Sequence, residues 1–203
     1  MAVDASGSID ADEFALQREG LAEAIAHPAV LAAIRSKPRG AIGVAMVEWG
    51  SPGGAATVVP WMRLTSATVT DVAAWLRDAP RSAQSWNAIG DAIVHATRLI
   101  AEAPFRAAER VIDVSGDGPD SRSLIPAPTA RDAAVAAGIT VNALAIELSP
   151  VTRAGEPLRA HYEREVIGGP GAFVMATDRR QDFARAMRAK LIREIAGRAA
   201  IAG

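Results

Sequence analysis

Met1-Ala2-Val3-Asp4-Ala5-Ser6-Gly7-Ser8 opens the chain, and its reading decides the fold. Three apolar residues, read as a short strand, end on the carboxylate of Asp4. Two hydroxyls, Ser6 and Ser8, follow around a glycine. Asp10-Ala11-Asp12-Glu13-Phe14 then reads as a helix start, with Asp10 and Glu13 spaced as a capping box. A carboxylate at a strand end, with hydroxyls on the turn into a helix, gathers hard oxygen donors. Such donors suit Mg²⁺, Mn²⁺ or Ca²⁺.

The pattern outward from this stretch alternates. Phe14, Leu21 and Ile25 share one helical face. His27-Pro28 interrupts that helix, and Val30, Leu31 and Ile34 continue it briefly. Ala41 to Trp49 is an apolar run, expected to be a central strand buried on both faces. Gly50-Ser51-Pro52-Gly53-Gly54 is a turn signal. Ala55 to Met62 follows too closely for a crossover, so it pairs antiparallel, and Pro60 places it at a sheet edge. A short helix is expected over 70–76 and a longer one from about 87 to 103. A strand over 110–115 runs into Gly116-Asp117-Gly118-Pro119-Asp120. A helix over 130–137, stopped by Gly138, leads to a strand over 139–147. A helix over 158–166, a strand over 172–176 and a helix over 178–196 close the chain. Phe183, Met187, Leu191 and Ile195 form one stripe of that last helix. The alternation predicts an α/β three-layer sandwich: a mostly parallel sheet with one antiparallel edge strand, and helices on both faces. In such sheets the functional crevice lies at the carboxyl ends of the strands. Asp4 and Asp117 both fall there.

The totals bound the alternatives. The chain has 203 residues, half of them hydrophobic, which fits one domain over 1–203 with a full core. A net charge of −1 makes no case for nucleic acid as a partner. The absence of cysteine excludes disulfides and thiolate metal sites. No apolar run reaches the roughly 18 residues of a membrane span. The first strand is shorter than the usual five or six or so residues, so a truncated or late start is expected, and localisation stays open.

Together, Asp4-x-Ser6-x-Ser8 after a first strand, Asp117 in Ser115-Gly116-Asp117-Gly118, and the element order resemble von Willebrand factor type A (vWA) domains with a metal-ion-dependent adhesion site. The resemblance covers nearly the whole chain. It implies Asp4, Ser6, Ser8 and Asp117 as metal ligands, with Asp117 matching the aspartate of the family's Thr-Asp-Gly motif. Asn87, in Asn87-Ala88-Ile89-Gly90, falls where the family has a metal-binding threonine. The phrases Asp4-Ala5-Ser6-Gly7-Ser8-Ile9-Asp10, Val47-Glu48-Trp49, Ile112-Asp113-Val114-Ser115-Gly116-Asp117-Gly118 and Val166-Ile167-Gly168-Gly169-Pro170-Gly171-Ala172-Phe173-Val174 are similar to a bacterial vWA-like family of unknown function. Relatives of that kind often look exported. The implied function is divalent-cation-dependent binding of a protein or peptide through an acidic side chain, without catalysis. Mg²⁺ is the implied ion, with Mn²⁺ or Ca²⁺ as alternatives, and Asn87 is the departure that bears on whether it is kept.

Other readings compete. The same carboxylates around Mg²⁺ would serve a hydrolase or phosphotransferase, but no activated nucleophile or general base accompanies them. A scaffold with a degenerated site is a third reading. An EF-hand loop fits Asp4, Ser6, Asp10 and Glu13 but fails at its first position, Ala2, and lacks an entering helix. His27, His95 and His161 are too scattered for zinc. Asp113, inside a strand, either steadies the metal loops or accepts structural bonds. Asp120 is expected to be a solvated loop residue. Trp86 either meets a partner or folds over the helix start. Trp49 and Trp61 are expected to pack across the hairpin. Glu48 either reaches the crevice or is solvated or paired.

Overall fold

The computed structural model describes residues 1–152 and 155–196. The strands are β1 (Ala2–Asp4), β2 (Ile42–Trp49), β3 (Ala56–Leu64), β4 (Val111–Gly116), β5 (Thr140–Ile146) and β6 (Val174–Thr177). The helices are α1 (Ala11–Ala26), α2 (Pro28–Arg35), α3 (Val69–Asp78), α4 (Ile89–Ala101), α5 (Ala127–Ala136), α6 (Leu158–Glu165) and α7 (Phe183–Ala196), with a short 3-10 helix at Arg180–Asp182 before the last. The six strands form one sheet in the order β3-β2-β1-β4-β5-β6. All neighbours pair parallel except β2 and β3. This is the expected three-layer α/β sandwich with one antiparallel edge. β3 is that edge, and its ladder with β2 shifts register between Val44 and Met46, around Pro60, which has no N–H to give.

Successive side chains of a strand point to opposite faces, and the two cores follow from that. Ala2, Ile112, Val114, Val141, Ala143 and Ala145 face α4, α5 and α6, packing with Ile89, Ile93, Ala130 and Leu158. Val3, Met46, Leu144 and Ile146 face the other layer, with Leu21, Ile25, Leu76 and the Phe183, Met187, Leu191 and Ile195 stripe. α1 begins as expected: Asp10 accepts from the Glu13 N–H and Glu13 accepts from the Asp10 N–H. Gly138 ends α5 with φ +75°, a left-handed conformation that glycine adopts without steric cost.

The sheet order also fixes where loops meet. From β1 the chain builds outward to β2 on one side, and from β4 outward to β5 on the other. The strand order therefore reverses between β1 and β4. The loops leaving those two strands diverge to opposite helical layers and leave a crevice above the sheet.

Several sequence expectations are corrected here. Trp49 is fully buried in the core against α4 and α6, whereas Trp61 stacks edge-on with Phe105 and donates to Leu99 O. They sit towards opposite ends of the hairpin and do not pair. Of the readings open for Glu48, the paired one holds, and the crevice and partner-binding ones do not. It is fully buried and bonds the Arg18 guanidinium at 2.6 Å and the Ser82 N–H at 2.6 Å. A carboxylate taken out of water needs such a partner. Of the two readings of Asp113, the structural one holds. It pairs with buried Lys190 of α7, whose Nζ also lies 2.6 Å from Glu194. Among the described residues no helix is long and apolar enough to cross a membrane.

Candidate metal centre

Asp4 is the last residue of β1 and is completely buried. Its Oδ1 accepts the Ser6 N–H at 2.8 Å. Its Oδ2 accepts the Asp117 N–H at 3.4 Å, across the β1–β4 boundary. Ser6 Oγ lies 3.1 Å from Ser8 Oγ. The turn therefore presents two hydroxyls beside a carboxylate whose two oxygens are aimed by backbone donors. Other side chains hold the turn's backbone. Gln17 donates to Asp4 O at 2.8 Å. Arg81 Nη2 donates to the carbonyls of Ala5, Ser6 and Ile9 at 3.2, 3.2 and 2.8 Å, and its guanidinium stacks on Phe14.

Asn87 comes from the loop before α4. That loop is stitched to the first turn: the Gly7 N–H donates to Ser85 O and the Ala88 N–H to Gly50 O. The Asn87 side chain packs on Gly118, where a Cβ would lie 2.4 Å from Asn87 Nδ2. Gly118 is thus the residue that lets Asn87 approach the Asp117 turn. Asn87 Oδ1 is buried and has no hydrogen-bond donor. A buried acceptor of this kind costs about 1–3 kcal/mol unless something satisfies it.

Asp117 stands just past β4. Below it, Gly116 leaves room for Trp49 and Tyr162, both of which a Cβ would meet at 2.8 Å. The Tyr162 hydroxyl donates to Gly118 O at 3.0 Å and fixes the turn from α6. The Asp117 carboxylate meets Arg180: Nη2 lies 2.6 Å from Oδ2. Arg180 in turn lies 2.8 Å from Glu13 Oε1. Arg180 carried no role in the sequence reading, and Glu13 only those of a helix cap and of the rejected EF-hand loop. An Arg in a loop after the sixth strand has no spacing relation to Asp117, so only the fold joins them.

The electrostatics follow from burial. The Asp4 carboxyl is pushed up to about 7, first by loss of solvent and then by the neighbouring Asp117 charge, against the lowering pull of its Ser6 and Asp117 bonds. The Tyr162 hydroxyl is raised as well, by burial and by Asp4, Asp117 and Asp120. A buried carboxylate with a second one close by favours a cation between them. Among the described residues no group of three or more His, Cys, Asp or Glu is placed to hold a metal. The donors here are instead two carboxylates, two hydroxyls and an amide oxygen. That set fits a hard divalent ion, and the orphaned Asn87 Oδ1 is the independent sign of the fit.

All five sequence-chosen residues therefore meet at one end of the sheet, through direct contacts or through Gly118. Trp86 is half exposed, with the Arg122 guanidinium 4.6 Å from its ring centroid. Asp120 is not a solvated residue. It accepts from the Ile89 and Ala127 N–H groups at 2.9 and 3.1 Å, capping both α4 and α5. Asp91 likewise accepts from Gly53, Leu124 and Ile125.

This sheet order and these loops define the vWA fold, and solved structures agree. The proximal thread matrix protein 1 (PTMP1) of the mussel byssus superposes with TM-score 0.69 at 15% identity, over 94% of this chain and 45% of that one. Its form described as having a zinc occupied MIDAS motif gives 0.67 at 16%, over 96% and 44%. A von Willebrand factor type A protein from Catenulispora acidiphila gives 0.60 at 15%, over 96% and 41%. The pilus adhesin SpaC of Lactobacillus rhamnosus GG gives 0.64 at 14%, over 95% and 30%. The chain spans less than half the length of each of these proteins. No curated protein sequence matches it. Over residues 1–199 it matches the family described as "Protein of unknown function (DUF1194)", and it belongs to that family.

Proposed function

We propose that this chain is a divalent-cation-dependent binding module, with Asp4, Ser6, Ser8, Asn87 and Asp117 holding the ion. Mg²⁺ suits the donors best, with Mn²⁺ and Ca²⁺ served by the same oxygen chemistry. The observation that carries this reading is the buried, donorless Asn87 Oδ1, whose side chain packs on Gly118 in the Asp117 turn. When bound, the ion supplies a hard positive centre able to take an acidic side chain from a protein or peptide partner.

The surroundings support binding rather than turnover. Ser6 Oγ bonds Ser8 Oγ, and among the described residues no imidazole stands beside it to take its proton. Exposed apolar side chains stand on the neighbouring loops: Trp86 before α4, Leu124 and Ile125 after β4, and Leu148 and Val151 after β5. Apolar and aromatic groups around a polar centre are what a protein interface presents. The similar PTMP1 and SpaC are a matrix protein and an adhesin, in keeping with this reading.

The test is thermal unfolding of the wild type and Asp117→Ala, in EDTA and then in excess Mg²⁺ or Mn²⁺. A ligand at a hundred times its dissociation constant stabilises the folded state by about 2.7 kcal/mol, a rise of roughly 5–11 °C for a chain of this size. That rise is expected in the wild type and lost in Asp117→Ala. No rise at millimolar metal in the wild type overturns the reading, and a rise restored by Asn87→Thr would assign the loss to Asn87.

A further inference from the structure

Arg180 reaches the candidate metal centre from the far end of the fold. It lies on the short 3-10 helix between β6 and α7, and its side chain is 13% exposed. Its Nη2 donates to Asp117 Oδ2 at 2.6 Å, and its Nε, on the same edge of the guanidinium, lies 2.8 Å from Glu13 Oε1. Glu13 divides its oxygens, since Oε2 accepts the Asp10 N–H in the cap of α1. The guanidinium therefore bridges the first turn of α1 to the Asp117 turn, over the same carboxylate that a divalent ion needs.

Two roles are open to such a group, and they predict opposite results. As a staple it would hold the loops in place and aid metal binding. As a competitor it would oppose binding, because guanidinium stays protonated at any working pH and cannot shed its charge when another cation arrives. The geometry favours the second. Arg180 bonds a proposed ligand itself and not the backbone of its loop, unlike Arg81, which bonds only carbonyls. The Asp117 turn is already fixed without it, by Tyr162 at Gly118 O and by the bond of the Asp117 N–H to Asp4. Glu13 gives the guanidinium a second anionic neighbour, so its charge keeps a partner when it gives up Asp117.

We propose that Arg180 is a resident counter-cation that competes with the divalent ion for Asp117 and holds the metal affinity of the site low until it releases that carboxylate. This rests on the metal reading above. It makes metal occupancy responsive to whatever draws Arg180 away, an acidic partner above all.

The test is calorimetric titration of Mn²⁺ into the full chain, wild type and Arg180→Gln, with thermal unfolding in EDTA alongside. Arg180→Gln is expected to bind Mn²⁺ about tenfold tighter or better, since a like charge is removed from beside the ion, while unfolding at a lower temperature in EDTA for want of its ion pairs. Equal or weaker Mn²⁺ binding by Arg180→Gln, with the wild type still binding, overturns the competition and leaves the metal site standing. No binding by either protein overturns the metal reading, and this proposal with it. Should Arg180→Gln not fold, Arg180→Met keeps the apolar stem and carries the same expectation.

Discussion

Asp4 shows how a residue proposed to hold an ion can cost the fold stability without one. Its carboxyl is completely buried and is pushed up to about 7, because burial and then Asp117 oppose its charge. At pH 8 without metal the fold therefore carries a costly anion. Asp4→Asn keeps an acceptor for the Ser6 N–H and removes that charge. In EDTA at pH 8 it is expected to raise the unfolding temperature, because a poorly compensated buried charge is costly. In excess Mn²⁺ the order is expected to reverse, because only the wild type gains from the ion. Differential scanning calorimetry in the two buffers reads both. An Asp4→Asn protein less stable than wild type in EDTA would mean that the carboxylate is structurally needed even without metal.

The residues that hold the site were legible to different degrees. Asp4, Ser6, Ser8, Asn87 and Asp117 stand in short, patterned stretches at strand ends, so the sequence exposes them. Arg180, Glu13, Arg81 and Tyr162 act through contacts between distant segments. Arg81 lies 72 positions from Ile9, and no local pattern records such a pair.

At the scale of elements, the helices around the crevice are ended by one another. α4 has no side-chain cap of its own. Its first N–H groups go to Asp120 and Ser123 from the loop after β4, and Asp120 also serves α5. An isolated reading of Asp120 as a loop residue misses this, because capping is usually local and here it is tertiary. Arg18 and Glu48 work in the same way. The guanidinium on α1 bonds Glu48 on β2 and the carbonyls of Leu76 and Ala79 at the end of α3. Breaking a buried pair by removing one partner costs about 3–5 kcal/mol, whereas replacing both by apolar groups is often close to neutral. Glu48→Ala is accordingly expected to lose that much in urea unfolding, and Arg18→Met with Glu48→Leu to recover most of it. A double variant as unstable as the single one would show that the carbonyl bonds of Arg18, rather than its ion pair, hold α3.

Across the whole molecule, ionisable groups are buried not only at the candidate metal centre and in the Arg18–Glu48 pair but also in the Asp113–Lys190–Glu194 cluster beneath α7. Two carboxylates there share one ammonium, all nearly or fully buried. Glu194 is pushed up to about 7 by burial first and the Asp113 charge second, against the pull of Lys190 and Asn142. The sign follows from proton counts. Between its ordinary value of 4.5 and about 7, the folded chain holds a proton at Glu194 that the unfolded chain has lost. Stability from this group is therefore complete below about pH 4.5 and falls as pH rises through 7, by up to about 1.4 kcal/mol per pH unit. Asp4 acts in the same direction in metal-free buffer. Glu194→Gln is expected to flatten the decline in unfolding free energy measured in EDTA from pH 5 to pH 8. A slope identical to wild type would show that Glu194 is ionised throughout.

The sequence by itself determined the layer architecture, the antiparallel edge strand and the five oxygen-bearing positions at one end of the sheet. These depend on hydrophobic period, turn residues and motifs, all of which are local and so are written in neighbouring residues. Only the tertiary structure decided which charges answer one another. It put Glu48 on Arg18 and Asp113 on Lys190, left Asn87 Oδ1 without a donor, and set Arg180 against Asp117. The reason is physical: the energy of a buried charge depends on what the fold brings within a few ångströms of it, and that distance has no counterpart in sequence spacing.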